Sequence, residues 1–245
     1  MTRGQLYRTF YVLIHTLYTF YQWLRAVQDV IYDCFVDLSH EFKGAGDFGA
    51  LQIYIDNSNK KPRHLTVLLG CEEPRYKDLA NIVLWCLVNR IVFLSFYDYK
   101  GTLTKHRDEF ESVINKKLAP RDRVIWHCTD SNHKNGFTGR KVHVKILTKD
   151  HGKGAIAKLA RQLSKNPPED KLSIEFLDTK LQKDFEFPDP DMGLHCGELL
   201  KSLDYPPWQL RITEFFTVKS HTKLAYRTFL HKLYHYVQCE QRLGK

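Results

Sequence analysis

The sequence predicts an α/β domain built on a mostly parallel sheet with helices on both faces. From residue 64 onward, short apolar runs alternate with segments of helical periodicity, and the apolar runs are continuous rather than alternating. Continuous runs are what strands buried on both faces require, and the interleaved helices supply the cover. A third observation sets the first 43 residues apart: an aromatic-rich run stands well ahead of this alternation.

In order along the chain, His64 to Leu69 reads as the first strand. Tyr76 to Asn89 reads as a helix, with Leu79, Ile82, Val83, Cys86 and Leu87 at helical spacing, and Ile91 to Tyr97 as the second strand. A charged helix follows near Lys105 to Lys117, then strands at Arg123 to Cys128 and Val142 to Leu147. A helix over Gly154 to Leu163 precedes a strand near Leu172 to Leu177. Short strands near Asp191 and at Leu210 to Val218 lead to a terminal helix over Thr222 to Glu240. The expected organisation is a membrane-associating helical segment (1–43), a linker (44–63), the α/β domain (64–240) and a short tail (241–245).

Phe10 to Leu24 holds six aromatics, with Arg3 and Arg8 before it and Arg25 after. Aromatic enrichment with flanking cations suits a helix at a membrane interface. At 15 residues the run is short of the roughly 20 needed to span, unless Leu6 to Val27 is counted with its arginines snorkelling. No small-residue cleavage site follows, which argues against a removed signal peptide. The same pattern also fits a helix packed on the protein's own core. Asp29, Asp33 and Asp37 recur every fourth residue and mark a polar stripe on a continuing helix. That helix is expected to end near Gly44-Ala45-Gly46-Asp47, and the polar stretch Asp56 to Pro62 to link onward.

With 43% apolar and 27% charged residues the chain is an ordinary globular protein, long enough to bury a real core. Residues 100–171 carry 17 Lys/Arg against 8 Asp/Glu, which is the whole of the net charge of +9. Such a segment serves as a solvated basic face, or meets anionic lipid headgroups, diphosphates or nucleic acid. The six cysteines form no C-x-x-C, so free thiols are expected rather than a disulfide framework or a zinc site. His127, Cys128 and His133 cluster in sequence but lack a second ligand pair, and no metal site is expected in this chain. Leu69-Gly70-Cys71-Glu72-Glu73-Pro74 after the first strand is neither G-x-G-x-x-G nor a P-loop, and no G-x-S-x-G occurs. Glu72-Glu73 before a proline reads as a helix start, where negative charge is favoured.

The chain ends Gln241-Arg242-Leu243-Gly244-Lys245. Arginine presents a planar fork of donors suited to phosphate oxygens. A glycine two residues on lets backbone N–H groups approach an anion without a Cβ in the way. On chemistry alone the same residues also make a frayed basic tail.

An Arg-x-Gly ending resembles that of the Nogo-B receptor family, the non-catalytic subunit of eukaryotic cis-prenyltransferase. His64 to Gly70 resembles the first strand of cis-prenyltransferases. In their catalytic members that strand runs into Asp-Gly-Asn-Gly-Arg, whose aspartate binds Mg²⁺. Here Gly70 stands at the aspartate position, with no Asn-Gly-Arg after it. Leu84-Trp85-Cys86-Leu87 and Ile91 to Gly101 resemble the following helix and strand of the Nogo-B receptor branch. Asp189 to Glu198 and Pro207 to Glu214 are similar to the second signature. There His195 occupies the place of an arginine that grips the homoallylic diphosphate, and a second expected arginine appears as Leu200 or Lys201.

Prenyl transfer needs a leaving diphosphate stabilised by a metal and fixed cationic donors. A chain that keeps the scaffold and lacks these groups reads as a subunit rather than an enzyme alone. The resemblance implies pairing with a catalytic dehydrodolichyl diphosphate synthase subunit, which extends farnesyl diphosphate with isopentenyl diphosphate using Mg²⁺ on the route to dolichol and protein glycosylation. It implies that Arg242 and Gly244 complete the partner's isopentenyl diphosphate site. It also implies an endoplasmic reticulum membrane location with the main domain facing the cytosol, and no nucleic-acid partner. Two rivals stay open at this point: a self-sufficient prenyltransferase with a rewired site, and a membrane-tethered receptor or binding module using the basic segment.

Overall fold

The computed structural model describes residues 7–8, 10–21, 24, 45–127, 139–167, 172–197 and 204–240. The chain divides into two compact units, residues 1–52 and 53–245. In the first unit, α1 (10–21) is helical and exposed throughout, Phe10, Tyr11, Leu17 and Tyr18 included. Among the described residues no helix is long and apolar enough to cross a membrane.

The expected linker is largely helical. α2 (Ala45–Asn57) carries the run Leu-Gln-Ile-Tyr-Ile, and Ile55 is fully buried. Burying an Ile side chain is worth about 1.5–3 kcal/mol, enough for a short helix to form where the flanking glycines and polar residues signal a break.

Among the described residues of the second unit, every strand pairing is parallel. β1 (His64–Leu68), β2 (Phe93–Tyr97), β3 (Asp122–Trp126), β4 (Arg140–Leu147), β5 (Met192–Cys196) and β6 (Glu214–Val218) form one sheet in the order β3-β4-β2-β1-β5-β6. β1 and β5 are buried at all five positions, as continuous apolar runs require. The covering helices are α3 (Tyr76–Val88), α4 (Thr102–Lys105), α5 (Arg107–Asn115), α6 (Lys153–Lys165), α7 (Ile174–Phe185) and α8 (Tyr226–Gln238). α3 buries the five residues expected of it, Leu79, Ile82, Val83, Cys86 and Leu87.

The segment expected as a strand over Leu172 to Leu177 is instead the start of α7. Ser173 caps that helix by accepting from the Phe176 N–H at 3.1 Å, and Glu175 lies in its first turn. The buried Leu181 and Phe185 follow Leu177 at steps of four, so the apolar period is helical once the window extends past the first six residues. The charged helix near Lys105 is broken into α4 and α5 at His106. Leu210 to Val218 is a strand only from Glu214, after a single 3₁₀ turn at Pro207–Gln209.

A polar thread runs through the sheet. His64, Thr66 and Ser95 are fully buried on β1 and β2. His64 Nδ1 lies 2.6 Å from the Pro188 carbonyl, which can only accept, so Nδ1 carries the proton and Nε2 accepts from the Ser95 hydroxyl at 2.9 Å. That uses the one hydroxyl proton of Ser95, so Thr66, 2.9 Å away, donates to it in turn. Burial lowers the His64 pKa to about 4, against an opposing contribution from the Pro188 hydrogen bond.

Candidate functional site

In open parallel sheets ligands bind beyond the carboxyl ends of the strands, at the point where strand order reverses. Here β1 is flanked by β2 on one side and β5 on the other, and the chain crosses sides between β4 and β5. The switch point is therefore the β1–β5 crevice. Leu68 at the end of β1 is in register with His195, and His195 with Thr217 of β6. Gly70 and His195, 125 positions apart in sequence, thus lie at the same end of adjacent strands.

The crevice is closed. Gly70 has φ +62°, and a Cβ built on it would stand 2.8 Å from the backbone oxygen of Cys196. Any side chain there meets both a left-handed backbone and a rigid carbonyl. A carboxylate at this position needs a different loop. His195 is 1% exposed, so it does not present a cation to a ligand as a surface arginine does.

What fills the place is internal. Glu72 Oε2 accepts from Ser220 Oγ at 2.8 Å and from the His221 N–H at 3.2 Å. His221 Nδ1 lies 2.5 Å from the same oxygen, a close contact bent away from an aligned hydrogen bond. His221 Nε2 accepts from the Arg75 N–H at 3.0 Å, which places the neutral ring's proton on Nδ1, facing Glu72. Arg75 is the N-cap of α3 and has no side-chain cap of its own. A helix N-terminus is a ready anion site; here that N–H is spent on a histidine of the β6–α8 loop. Burial opposes ionisation of Glu72, but the hydrogen bonds from His221 and Ser220 outweigh it and hold its pKa below the ordinary value.

Glu72, Cys196 and His221 place one ligand atom each within 4.8 Å of one another, which invites a metal. Mg²⁺ demands oxygen ligands in octahedral array, and this set offers one carboxylate, one thiol and one imidazole. Burial raises the Cys196 pKa, keeping the thiol protonated. Metal at His221 Nδ1 moves the ring proton to Nε2, against the Arg75 N–H. The donor set does not fit Mg²⁺. The arrangement does chemistry of another kind: it ties the β1–α3 loop to the β6–α8 loop across the end of β5.

Two clefts lie away from this crevice. One of about 380 Å³ is lined by Arg107, Trp126, His127, Lys145 and His151, and one of about 490 Å³ lies between α6 and α7. In the first, Lys145 Nζ donates to the Phe185 carbonyl at 2.7 Å and to Glu186 at 3.2 Å. Of the sequence cluster His127, Cys128 and His133, only His127 lies among the described residues. Its Nε2 is 2.7 Å from His143 Nδ1 on β4, a partner the linear spacing could not reveal.

No protein-family model matches the chain. It is 32% identical over 200 residues to the mouse dehydrodolichyl diphosphate synthase complex subunit Nus1, covering 76% of this chain and 67% of the mouse protein. It is 31% identical over 203 residues to the subunit of the same name from Schizosaccharomyces pombe, covering 76% and 78%. The chain belongs to the NUS1 family. The human subunit is 28% identical over 229 residues, 86% of this chain and 74% of that protein.

Solved structures share the fold of this NUS1-family chain. A lavandulyl diphosphate synthase from Lavandula x intermedia superposes with TM-score 0.52 at 14% identity, covering 76% of this chain and 99% of that one. A probable undecaprenyl diphosphate synthase from Campylobacter jejuni gives 0.50 at 16%, covering 76% and 100%. The parallel sheet is thus a fold shared with these two synthases. Arg242 and Gly244, like Leu200 and Lys201, lie outside the described residues; the terminal helix they follow is in place as α8. Glu72, Ser220 and His221 were not singled out as a unit from sequence, because their contacts join positions almost 150 residues apart.

Proposed function

We propose that this chain is the non-catalytic, regulatory subunit of a heteromeric cis-prenyltransferase. In that assembly a catalytic subunit extends farnesyl diphosphate with isopentenyl diphosphate and Mg²⁺, on the way to dolichol for protein glycosylation. The observation that carries this reading is the closed β1–β5 crevice: Gly70 stands against the Cys196 carbonyl and Glu72 is tied to His221 where a ligand would sit. Membership of the family of complex subunits supports the heteromer.

Within the assembly, Arg242 supplies a fork of charge-assisted donors to the partner's isopentenyl diphosphate, and Gly244 lets backbone N–H groups close on the same anion. Mg²⁺ is bound by the partner with substrate. The exposed apolar surface of α1 supports a tether at the endoplasmic reticulum membrane, with the main domain on the cytosolic side.

The test is expression of this chain alone, and together with a catalytic cis-prenyltransferase subunit, followed by labelled isopentenyl diphosphate incorporation. The pair co-purifies and makes polyprenyl diphosphate, and the single chain makes none. Robust Mg²⁺-dependent incorporation by the chain alone, or no association with any catalytic subunit, overturns the reading. Deleting residues 1–40 releases the pair from membranes and leaves its turnover intact; unchanged sedimentation with membranes sinks the tether.

A further inference from the structure

The stretch just ahead of β1 does more than connect. α8 ends at Cys239, whose backbone turns extended (φ −65°, ψ 128°) and sends the chain toward the tail. The last carbonyls of a helix lack intrahelical partners and carry partial negative charge, so a cation placed there both satisfies and holds them. Lys60, 179 positions earlier, does this: its Nζ donates to the Cys239 carbonyl and sits 4.7 Å from the centre of the Tyr236 ring. Tyr236 is buried, so the ring is a fixed face.

Lys60 is itself held. Its N–H donates to Ser58 Oγ at 3.1 Å, and that hydroxyl donates to the Lys60 carbonyl at 3.3 Å. The Ser58 N–H donates to the carbonyl of the fully buried Ile55. One turn back, the Tyr54 ring meets the Tyr234 ring edge-on at 5.1 Å, and Gln238 Nε2 donates to the Tyr234 hydroxyl at 2.6 Å. The last turn of α8 is therefore gripped at two places by residues 54–60.

We propose that Lys60 is a positioning residue for the C-terminal tail, its ammonium setting the direction in which Arg242 leaves the domain. This rests on the reading that Arg242 acts in the partner's active site. Arg242 lies three residues beyond Cys239, at most about 10 Å of chain, so the direction fixed at Cys239 bounds where its side chain can act. Misplacements of about 1 Å can cost on the order of a hundredfold in rate.

The experiment uses the full-length pair with its catalytic subunit, carrying Lys60→Met, Lys60→Arg, Arg242→Ala, or Lys60→Met with Arg242→Ala. Met keeps the length and the contact with Tyr236 but removes the charge and the donor. Lys60→Met is expected to lose roughly three- to tenfold in kcat/KM for isopentenyl diphosphate, with melting temperature and pull-down as wild type. Lys60→Arg recovers most of the loss, and the double variant is no worse than Arg242→Ala alone, since both act through one tail. Wild-type kinetics for Lys60→Met beside an impaired Arg242→Ala overturn the Lys60 assignment and leave the tail reading standing. Wild-type kinetics for both overturn the tail reading and this one with it. A loss that follows reduced melting temperature or reduced association, or that multiplies with Arg242→Ala, also overturns it and makes Lys60 a stabiliser of the fold.

Discussion

A Cβ on Gly70 would stand 2.8 Å from the backbone oxygen of Cys196, across the crevice between β1 and β5. The contact makes the absent aspartate more than a point change. The space that a side chain at this position needs is taken by the backbone of the neighbouring strand. Gly70→Asp is therefore expected to leave the isolated chain inactive and to destabilise it. Left-handed backbone at a non-glycine residue costs about 1–3 kcal/mol before the clash is counted. Denaturant unfolding and isopentenyl diphosphate incorporation check both halves. An active single chain, or unchanged stability, would show that the crevice opens readily.

The Glu72–His221 tie gives a second prediction. Glu72→Ala takes the acceptor from Ser220 Oγ and from the His221 N–H, and removes the carboxylate facing Nδ1 of the fully buried His221. Stranding buried polar groups costs about 1–3 kcal/mol. Because the folded pKa of Glu72 is lowered, its contribution is present above the ordinary value of 4.5 and fades as pH falls through the folded value. Chemical denaturation across pH should therefore show a gap between wild type and Glu72→Ala that is full at pH 7 and narrows progressively as pH is taken below 4.5. A constant gap at both pH values would assign the loss to packing.

The buried His64 sets a further pH dependence. Its folded pKa, about 4, lies below the unfolded 6.5, so the unfolded chain binds the proton first as pH falls. Stability is fully present above 6.5 and is lost as pH drops toward 4, by up to about 3 kcal/mol at 1.36 kcal/mol per pKa unit. Between pH 7 and pH 5 the expected loss from this group is about 2 kcal/mol. Burial also lowers the pKa of His151, which adds in the same sense. His64→Leu lowers stability at pH 7, since Ser95 and the Pro188 carbonyl lose their partner, and flattens this slope. An unchanged slope in the variant would place the pH dependence elsewhere.

What could be read from the sequence follows from range. β1, β2 and α3 are set by local apolar runs and spacing, and their residues fall where the pattern puts them. α7 failed because six residues, Leu172 to Leu177, look equally apolar at either period; only the later Leu181 and Phe185 decide it. α2 failed because its flanks carry turn residues while its burial, at Ile55, is a tertiary fact. The site was half legible. Gly70 and His195 were visible as departures from a motif, but what closes the crevice is a backbone carbonyl and a loop histidine. Neither Cys196 O nor His221 carries a mark in sequence, since each acts through a partner on another strand or loop. Lys60 is invisible for the same reason, its target being the far end of α8.

The tail carries the last prediction. Arg242 follows α8 by four residues beyond Gln238, and in the proposed assembly it donates to a diphosphate across the subunit boundary. Hydrogen bonds to charged groups contribute about 1.5–3 kcal/mol, so Arg242→Ala in the pair should lower turnover or isopentenyl diphosphate affinity roughly ten- to a hundredfold. Arg242→Lys recovers only part of this, because it keeps the charge and loses the bidentate fork. Gly244→Ala also lowers activity if the glycine has a positive φ or lies against the anion, although it adds a single methyl. Neither change weakens association, since five residues bury too little surface to hold a heteromer whose interface needs on the order of 1,000 Å² or more. Steady-state kinetics beside pull-down of the catalytic subunit decide the matter. A change in KM for isopentenyl diphosphate with farnesyl diphosphate unaffected assigns the contact to that substrate; lost activity that tracks lost association removes the tail from the reaction.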